Sequence, residues 1–186
     1  MDDRQVIESF LLNRAENDFS FLFESFYPRL RRYFLLRGLE WEEAEDLAQN
    51  VMVIVFRRGG EVREKELFIG WLFKVAKNEL ARHWRRRLER NRLAEFEPLS
   101  EELAKRLMIE MELISLSPLT EWLSHLEPAE RELILLRFVE ELSYEELAVV
   151  LEVPLGTVKW RLFQAKRKLA PIIKASLPNR RERQID

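Results

Sequence analysis

The sequence predicts an all-α protein made of two small helical domains joined by an acidic linker. Apolar residues recur at spacings of three and four along most of the chain, and almost no segment alternates with a period of two. The 186 residues contain only five glycines, which disfavours architectures that need many tight turns. A chain of this length forms one ordinary domain or two small ones.

Six segments have the apolar spacing of amphipathic helices. They are Phe19–Leu36, Glu40–Arg58, about Leu67–Arg92, Glu127–Phe138, Ser143–Leu151, and Pro154 or Leu155 to about Ala170. Gly38 and the Gly59-Gly60 pair end the first two, and Ser143 with Glu146 has the form of a capping box. Each segment has one apolar face, and these faces predict the core. The residues predicted to be buried are Phe19, Leu22, Phe23, Phe26, Leu30, Tyr33, Phe34; Ala44, Leu47, Val51, Ile54, Val55; Phe68, Leu72, Val75, Ala76; Leu133, Ile134, Leu136, Phe138; Leu147, Ala148, Leu151; and Val158, Leu162, Ala165, Leu169.

Domain boundaries follow from a change in composition. Residues 93–118 are acidic and contain Pro98 and Pro118, so we predict a linker there between domains 1–92 and 119–186. The stretch LSEELAKRLMIEMELI within this linker also has helical spacing, so the linker is either an extended tether or partly helical.

The net charge of −2 conceals strong segregation of charge along the chain. Residues 57–92 carry 12 basic and 5 acidic side chains, and residues 155–186 carry 9 and 2. The intervening residues 93–130 carry 2 basic and 9 acidic side chains. Two basic blocks separated by an acidic one indicate two surfaces that meet a polyanion, although runs of charge on helices are often only solvated faces.

Several classes of site are excluded by the residues that the chain lacks. It has no cysteine and only two histidines, so neither a disulfide framework nor a transition-metal cluster is expected. The glycines form no phosphate-binding loop, and no segment is long and apolar enough to span a membrane. We therefore expect no catalytic residues, cofactor, metal or membrane insertion, and a cytoplasmic location.

The last two helical segments and the turn between them have the arrangement of a helix-turn-helix DNA-binding domain. Thr157, Trp160, Arg161, Gln164 and Lys168 share the polar face of the last helix. Arginine and glutamine can make bidentate contacts with guanine and adenine. The alternative interpretation is a solvated helix on a three-helix bundle.

Three segments together resemble bacterial RNA polymerase sigma factors of the extracytoplasmic-function (ECF) type. LSHLEPAERELILLRFVEELSYEELAVVLEVPLGTVKWRLFQAKRKL is similar to their C-terminal DNA-binding region. EWEEAEDLAQNVMVIVFRR resembles their polymerase-binding helix, and FIGWLFKVAKNELARHWRRR resembles their promoter-opening helix. The resemblance covers about Phe19 to Lys168.

The resemblance implies a factor that binds core RNA polymerase and directs it to promoters through the minus-10 and minus-35 elements. It also implies an anti-sigma partner in many members and an acidic linker that passes through the RNA exit path. Transferred to this chain, it suggests three groups of site residues. They are Asp46, Gln49, Asn50 and Val53 for polymerase binding; Trp71, Lys74, Lys77, Asn78, Arg82, Arg85 and Arg86 for the melted minus-10 strand; and Thr157, Lys159, Trp160, Arg161, Gln164 and Lys168 for the minus-35 duplex.

Some assignments have structural alternatives. For Trp71 core packing is favoured over base stacking, and Phe73, Leu80 and Trp84 also suit packing better than contact with a melted strand. The chain also departs from the family pattern, with Glu152 where glycine is common in the turn and Pro154 and Trp160 at the start of the last helix. For the whole protein, the alternative function is a stand-alone helix-turn-helix regulator that binds duplex DNA as a dimer.

Overall fold

The computed structural model describes residues 3–13, 16–91 and 117–176, and within these ranges the regular elements are helices with no strand. The all-α prediction is therefore confirmed for this part of the chain. The predicted linker lies outside the described residues except for Ser117 and Pro118, which begin a helix.

The described residues form eight α-helices and two short 3₁₀ turns. The helices are α1 (Asp3–Asn13), α2 (Glu16–Leu35), α3 (Trp41–Arg58), α4 (Phe68–Asn91), α5 (Ser117–Ser124), α6 (Pro128–Phe138), α7 (Tyr144–Leu151) and α8 (Leu155–Ser176), and the turns are Gly59–Glu61 and Lys65–Leu67. The six predicted helices are all present, but α1 and α5 were not predicted, α2 begins three residues earlier than expected, and α8 continues past Ala170 through Pro171.

The helices group into two units according to their internal contacts. Unit 1 comprises residues 1–98 and 142–153, and unit 2 comprises residues 99–141 and 154–186. Helix α7 thus belongs to unit 1, although the segments before and after it belong to unit 2. The domain boundaries expected from the sequence, at 92 and 118, stay a prediction.

The core of unit 1 is formed by the apolar stripe of α2 and the faces of α3 and α4. Most of the residues predicted to be buried on these helices are buried. Four of them, Phe19, Phe23, Ile54 and Val75, are only half-buried. The fully or almost fully buried residues are Leu22, Phe26, Leu30, Tyr33, Phe34, Ala44, Leu47, Ala48, Val51, Met52, Val55, Phe68, Leu72, Phe73, Ala76 and Leu80. Phe73 and Leu80 are thus packing residues, as the sequence favoured.

Helix α1 completes this core and was missed by the sequence analysis. It buries Val6, Ile7 and Phe10. Their spacing of one and four residues is a helical signal, but it spans little more than one turn. An ion pair between Asp3 and Arg29, 2.8 Å from Oδ2 to Nη1, joins α1 to α2.

Unit 2 packs α6 against α8 through apolar faces that were predicted from spacing. Val158, Leu162, Ala165 and Leu169 of α8 are all buried, as are Leu133, Ile134, Leu135 and Leu136 of α6. The prediction for Phe138 was wrong, because its side chain is 52% exposed. Phe138 is the last residue of α6, one turn beyond the buried Ile134. Its ring lies near two cations, with Lys166 Nζ 5.1 Å and Arg137 Cζ 5.8 Å from the ring centroid.

Helix α7 starts and ends through well-defined caps. The predicted capping box is present, with Glu146 N–H donating to Ser143 Oγ (3.1 Å) and Ser143 N–H donating to Glu146 Oε2 (2.6 Å). At the other end Glu152 adopts a left-handed conformation, with φ 55° and ψ 43°. Glycine usually occupies such a position because it has no Cβ to clash with the backbone. The departure from the family pattern at Glu152 therefore retains the turn but strains its backbone.

Candidate polymerase and nucleic-acid interfaces

The outward face of α3 carries the four residues assigned to polymerase binding. Asp46, Gln49, Asn50 and Val53 are all exposed and succeed one another at spacings of three, one and three, which places them on one side of the helix. The opposite side is the buried face of α3. A surface that combines a carboxylate, two amides and an apolar side chain can bind a partner through hydrogen bonds around a small apolar centre.

Phe56 extends this face by one turn, and the sequence analysis did not include it. Its side chain is 48% exposed, against 46% for Val53. Its ring lies edge-on to that of Phe19 on α2, with 4.9 Å between centroids. Helical spacing could have placed Phe56 on this face, since it follows Val53 by three residues. The apolar part of the outward face is therefore larger than predicted.

Glu43, in the first turn of α3, lies close to two side chains near the basic end of α4. Glu43 Oε1 lies 3.3 Å from His83 Nε2, and Glu43 Oε2 lies 3.3 Å from Arg87 Nη1. Burial raises the pKa of the Glu40 carboxyl group, and the neighbouring negative charge of Glu43 adds to the shift while Arg87 opposes it. The ion pair between Glu43 and Arg87 thus links the start of α3 to the basic end of α4.

The residues assigned to the minus-10 strand divide into two groups along α4. The first group, Trp71, Lys74 and Lys77, is half-buried. Lys74 Nζ lies 2.6 Å from Glu152 Oε1, and Lys77 Nζ lies 3.5 Å from the carbonyl oxygen of Val150. Both lysines are thus occupied by polar groups of the segment that contains α7.

The second group continues along α4 and is open to solvent. Asn78, Arg82, Arg85 and Arg86 are exposed, and Arg82 pairs with Glu79 one turn earlier. The Nε–H group of Arg85 donates to the carbonyl oxygen of Ala81 at 3.3 Å. Three arginines and an amide in this arrangement suit a phosphate backbone with one unstacked base.

The aromatic residues of α4 lie beside these cations. The Trp71 ring is half-buried and tilted against Phe68, with 5.8 Å between centroids. It therefore packs against its neighbour and also leaves part of the ring open to solvent. Trp84 is also half-buried and lies 5.3 Å from the guanidinium carbon of Arg87. Of the three further residues for which packing was favoured, Trp84 is therefore the least enclosed.

Five of the six residues assigned to the minus-35 duplex share one outward face of α8, and Lys159 lies on a different side of the helix. Lys159, Trp160, Arg161 and Lys168 are exposed, and Thr157 and Gln164 are half-buried. The indole of Trp160 is 61% exposed, which leaves it free for an apolar contact in a groove. This polar and basic face is opposite the buried residues of α8.

Lys168 is held by a neighbouring helix of unit 2. Its Nζ atom lies 2.6 Å from Glu130 Oε1 on α6. The hydrogen bond from Lys168 lowers the pKa of the Glu130 carboxyl group, and partial burial opposes that shift. Lys168, which was predicted to contact the minus-35 duplex, therefore has a carboxylate partner within unit 2.

Three further exposed residues of α8 were not among the predicted contacts. Phe163 is 59% exposed, and Lys166 and Arg167 are also exposed. The basic surface of α8 consequently extends further around the helix than the single face that spacing suggested. The count of basic residues in 155–186 includes Lys166 and Arg167 but does not show on which side of α8 they lie.

No group of three or more His, Cys, Asp or Glu side chains is arranged to hold a metal ion in the part of the chain that the structure describes. Among the same residues, no helix is both long and apolar enough to cross a membrane.

Comparison with known proteins identifies two family regions in this chain. Residues 22–90 match Sigma-70 region 2, and residues 116–169 match Sigma-70, region 4. The RNA polymerase sigma-H factor of Pseudomonas aeruginosa is 32% identical over 140 residues, which are 69% of this chain and 72% of that protein. The ECF RNA polymerase sigma factor RpoE of Cereibacter sphaeroides is 28% identical, over 84% of this chain and 87% of the relative.

Solved structures show the same fold. CnrH in complex with the cytosolic domain of CnrY aligns with a TM-score of 0.64 at 20% identity, over 94% of this chain and 99% of CnrH. RpoE of Bartonella quintana, in complex with the anti-sigma factor NepR, aligns with a TM-score of 0.63 at 21% identity, over 86% and 99%.

The two matched regions occur in the order that the sequence motifs indicated, and they contain α3 and α4 in one case and the helix-turn-helix in the other. The chain therefore belongs to the sigma-70 family as an ECF sigma factor, a transcription initiation factor that binds core RNA polymerase and directs it to promoters.

Proposed function

We propose that the outward face of α3 is the surface that binds core RNA polymerase. The observation that carries this proposal is the exposed set of Asp46, Gln49, Asn50 and Val53 within the region 2 match, extended by the exposed ring of Phe56. Exposed apolar side chains next to amides and a carboxylate are typical of an interface with an apolar centre and a polar rim.

Replacing both Asp46 and Gln49 with alanine should weaken core binding by about 30-fold, since loss of polar contacts at an interface typically costs on the order of 1 kcal/mol each. The measurement is titration of purified core polymerase with labelled protein, followed by transcription from a promoter library. Glu24→Ala, which removes an exposed carboxylate from α2, is the control and should bind normally. Unchanged affinity of the double variant would remove this face from the interface.

For α4 we propose capture of the melted minus-10 strand. Asn78, Arg82, Arg85 and Arg86 are exposed in a row, and Trp71, Lys74 and Lys77 lie on the preceding turns of the same helix. Arginine and lysine can follow the phosphates, while an aromatic ring and an amide receive an unstacked base.

For α8 we propose recognition of the minus-35 duplex. Arg161 and Gln164 have the side chains that read guanine and adenine edges, and Lys159, Thr157 and Lys168 suit phosphates. The exposed Trp160 suits a thymine methyl group or a sugar. Helix-turn-helix proteins place such a helix in the major groove.

The proposed mode of action is binding without catalysis, and we place the protein in the cytoplasm with its polymerase partner. The named relatives are sigma factors, which supports this function rather than that of a stand-alone dimeric regulator. Transcription with purified core distinguishes the two, because a dimeric regulator would bind a two-fold symmetric site without polymerase.

An inhibitory protein partner is also part of the proposal. The solved structure of RpoE with NepR is a complex between a sigma factor and an anti-sigma factor. A partner of this kind would act on the present chain by competing with core polymerase for the outward face of α3. Its effect would appear as loss of core binding when both proteins are mixed with core.

A further inference from the structure

Helix α7 lies along α4 within unit 1, on the turns that carry Lys74 and Lys77. The contact begins at Gly70, where an added Cβ would come within 2.9 Å of Glu146 Cα and 3.0 Å of the Glu146 carbonyl oxygen. Four and seven residues further along α4 are Lys74 and Lys77, which therefore share one side of the helix with Gly70. The close approach of the two backbones at Gly70 is possible only because this residue has no side chain.

The same side of α4 is closed by polar groups from the end of α7. Glu152 Oε1 lies 2.6 Å from Lys74 Nζ, and Lys77 Nζ lies 3.5 Å from the Val150 carbonyl oxygen. The hydrogen bond and charge of Lys74 lower the pKa of the Glu152 carboxyl group, and Lys77 adds to the shift. A nucleic-acid backbone offers the same two kinds of acceptor, an anionic oxygen for Lys74 and a neutral oxygen for Lys77.

Glu152 makes this contact from a strained position. Its left-handed backbone would be adopted more easily by glycine, yet the residue there is a glutamate whose carboxylate reaches Lys74. Glu141 has nearly the same backbone strain, with φ 60°, but lies outside the segment that contacts α4. Backbone strain alone therefore does not account for the contact with Lys74.

We propose that α7 and Glu152 are a built-in cover for the strand-capturing side of α4, with the Glu152 carboxylate standing in for a phosphate of single-stranded DNA on Lys74. The proposal rests on the proposed role of α4 in capturing the melted strand. DNA and α7 compete for the same lysines, so the free protein binds the strand weakly. The apparent dissociation constant is the intrinsic one divided by the fraction of molecules in which α7 is released.

Two substitutions release the cover by different means. Glu152→Gly removes the carboxylate and relieves the left-handed backbone, so the turn itself remains well formed. Gly70→Ala leaves every charge in place, favours the helical state of α4, and introduces a Cβ that displaces α7. Glu141→Gly is the matched control, because it changes charge and backbone strain in the same way without touching Lys74.

The experiment measures binding of a short fluorescein-labelled DNA strand of mixed sequence to the free full-length protein by fluorescence anisotropy. We expect Glu152→Gly to bind at least about twofold more tightly than wild type and Gly70→Ala about fivefold more tightly, with Glu141→Gly unchanged. Hydrogen exchange should show faster exchange in residues 144–151 for both releasing variants. If Gly70→Ala does not fold, as judged by circular dichroism, Glu152→Gly alone decides.

The proposal is overturned if Glu152→Gly and Glu141→Gly change the affinity equally, if neither releasing variant binds more tightly than wild type, or if exchange in α7 does not change. The role of α4 is tested separately with Asn78→Ala in the polymerase-bound protein. If that variant opens promoters normally, the assignment of α4 fails. If it opens them poorly while the releasing variants behave like wild type, only the cover is wrong.

Discussion

At the scale of single residues, the charged carboxylate of Glu40 lowers the stability of the folded protein. Its Oε2 atom is buried and has no hydrogen-bond partner among the residues that the structure describes, and burial together with Glu43 raises the pKa of its carboxyl group. Because the pKa in the folded state is raised, ionisation of Glu40 opposes folding. The penalty is absent below the ordinary pKa and fully present above the raised one.

Glu40→Gln should therefore stabilise the protein at neutral pH. The amide retains an acceptor for the first turn of α3 and removes the negative charge next to Glu43. We expect Tm to rise by roughly 2–4 °C near pH 7, and the gain to disappear as the pH falls below the ordinary pKa of a glutamate. Differential scanning calorimetry across this pH range is the measurement.

A neighbouring glutamate provides the control for this effect. Glu42 is exposed in the same first turn of α3, where a negative charge favours the helix dipole. Glu42→Gln should lower Tm slightly. An equal rise for both variants would mean that the benefit comes from reduced net charge and not from the environment of Glu40.

Individual contacts of this kind are largely beyond sequence reasoning. The predicted burial of Leu22, Phe26 and Val158 was confirmed, because the period of a helix selects one face. The exposure of Phe138 could not be predicted, since spacing does not reveal where a helix extends beyond the core that it packs against. The left-handed backbone at Glu152 was foreshadowed only by the family pattern of glycine in that turn.

At the scale of helices, α8 illustrates competition between an internal ion pair and an external ligand. Lys168 is proposed to contact a phosphate but binds Glu130 of α6 in this structure. The pKa of Glu130 is lowered, so the pair adds stability above the ordinary glutamate pKa and loses it as the pH falls through the lowered value. Duplex binding must break this pair before Lys168 can neutralise a phosphate.

Glu130→Gln should therefore strengthen duplex binding by the polymerase-bound protein. The freed Lys168 adds one phosphate contact, which steepens the dependence of log affinity on log salt by about 0.9. The measurement is promoter-fragment binding over a series of salt concentrations. Glu121→Gln, at an exposed position on α5, is the control and should leave the slope unchanged.

A salt slope identical to wild type would show that Lys168 does not reach the backbone even when it is released. In calorimetry the same variant should be less stable than wild type at neutral pH. That difference should shrink as the pH falls below the pKa of Glu130, because wild type then loses its own ion pair.

The positions of six helices were predictable, with the largest error at the end of α8, but the partners of their buried faces were not. The apolar face of α7 showed that Leu147 would be buried, and it is. Nothing in its spacing indicated that Glu146 would lie against Gly70 of α4, because periodicity identifies a buried face without identifying what covers it. Helix α1 was missed for a related reason, since the apolar residues of this 11-residue segment span only about two turns, which is a weak signal of a helix.

At the scale of the whole molecule, the alternation of charge along the chain is consistent with separate surfaces for polymerase and for DNA, as proposed above. The basic side chains concentrate in residues 57–92 and 155–186, and the outward face of α3 carries a carboxylate and two amides. The net charge of −2 limits binding of the free chain to nucleic acid. Polymerase, by holding both DNA-binding regions at once, raises the effective concentration of each at a promoter.

This division predicts different consequences for mutations in the two surfaces. Loss of a polymerase contact, as in Asp46→Ala, lowers the amount of complex and so reduces transcription from all promoters by the same factor. Arg161→Ala instead changes the ranking of promoters, because a side chain that reads a base edge contributes about 1–3 kcal/mol of discrimination at one position.

The measurement is competitive transcription from promoter pairs that share a minus-10 element and differ only within the minus-35 element. With Arg161→Ala we expect the preference between the two promoters to fall by about tenfold or more, while Asp46→Ala leaves the preference intact at reduced yield. Arg167→Ala removes an exposed cation from the same helix and is the control for loss of charge alone. It should leave the preference between the two promoters unchanged. If Arg161→Ala reduces both promoters equally, as a lost phosphate contact would, Arg161 holds the backbone, and the base-reading side chain must be sought elsewhere on α8.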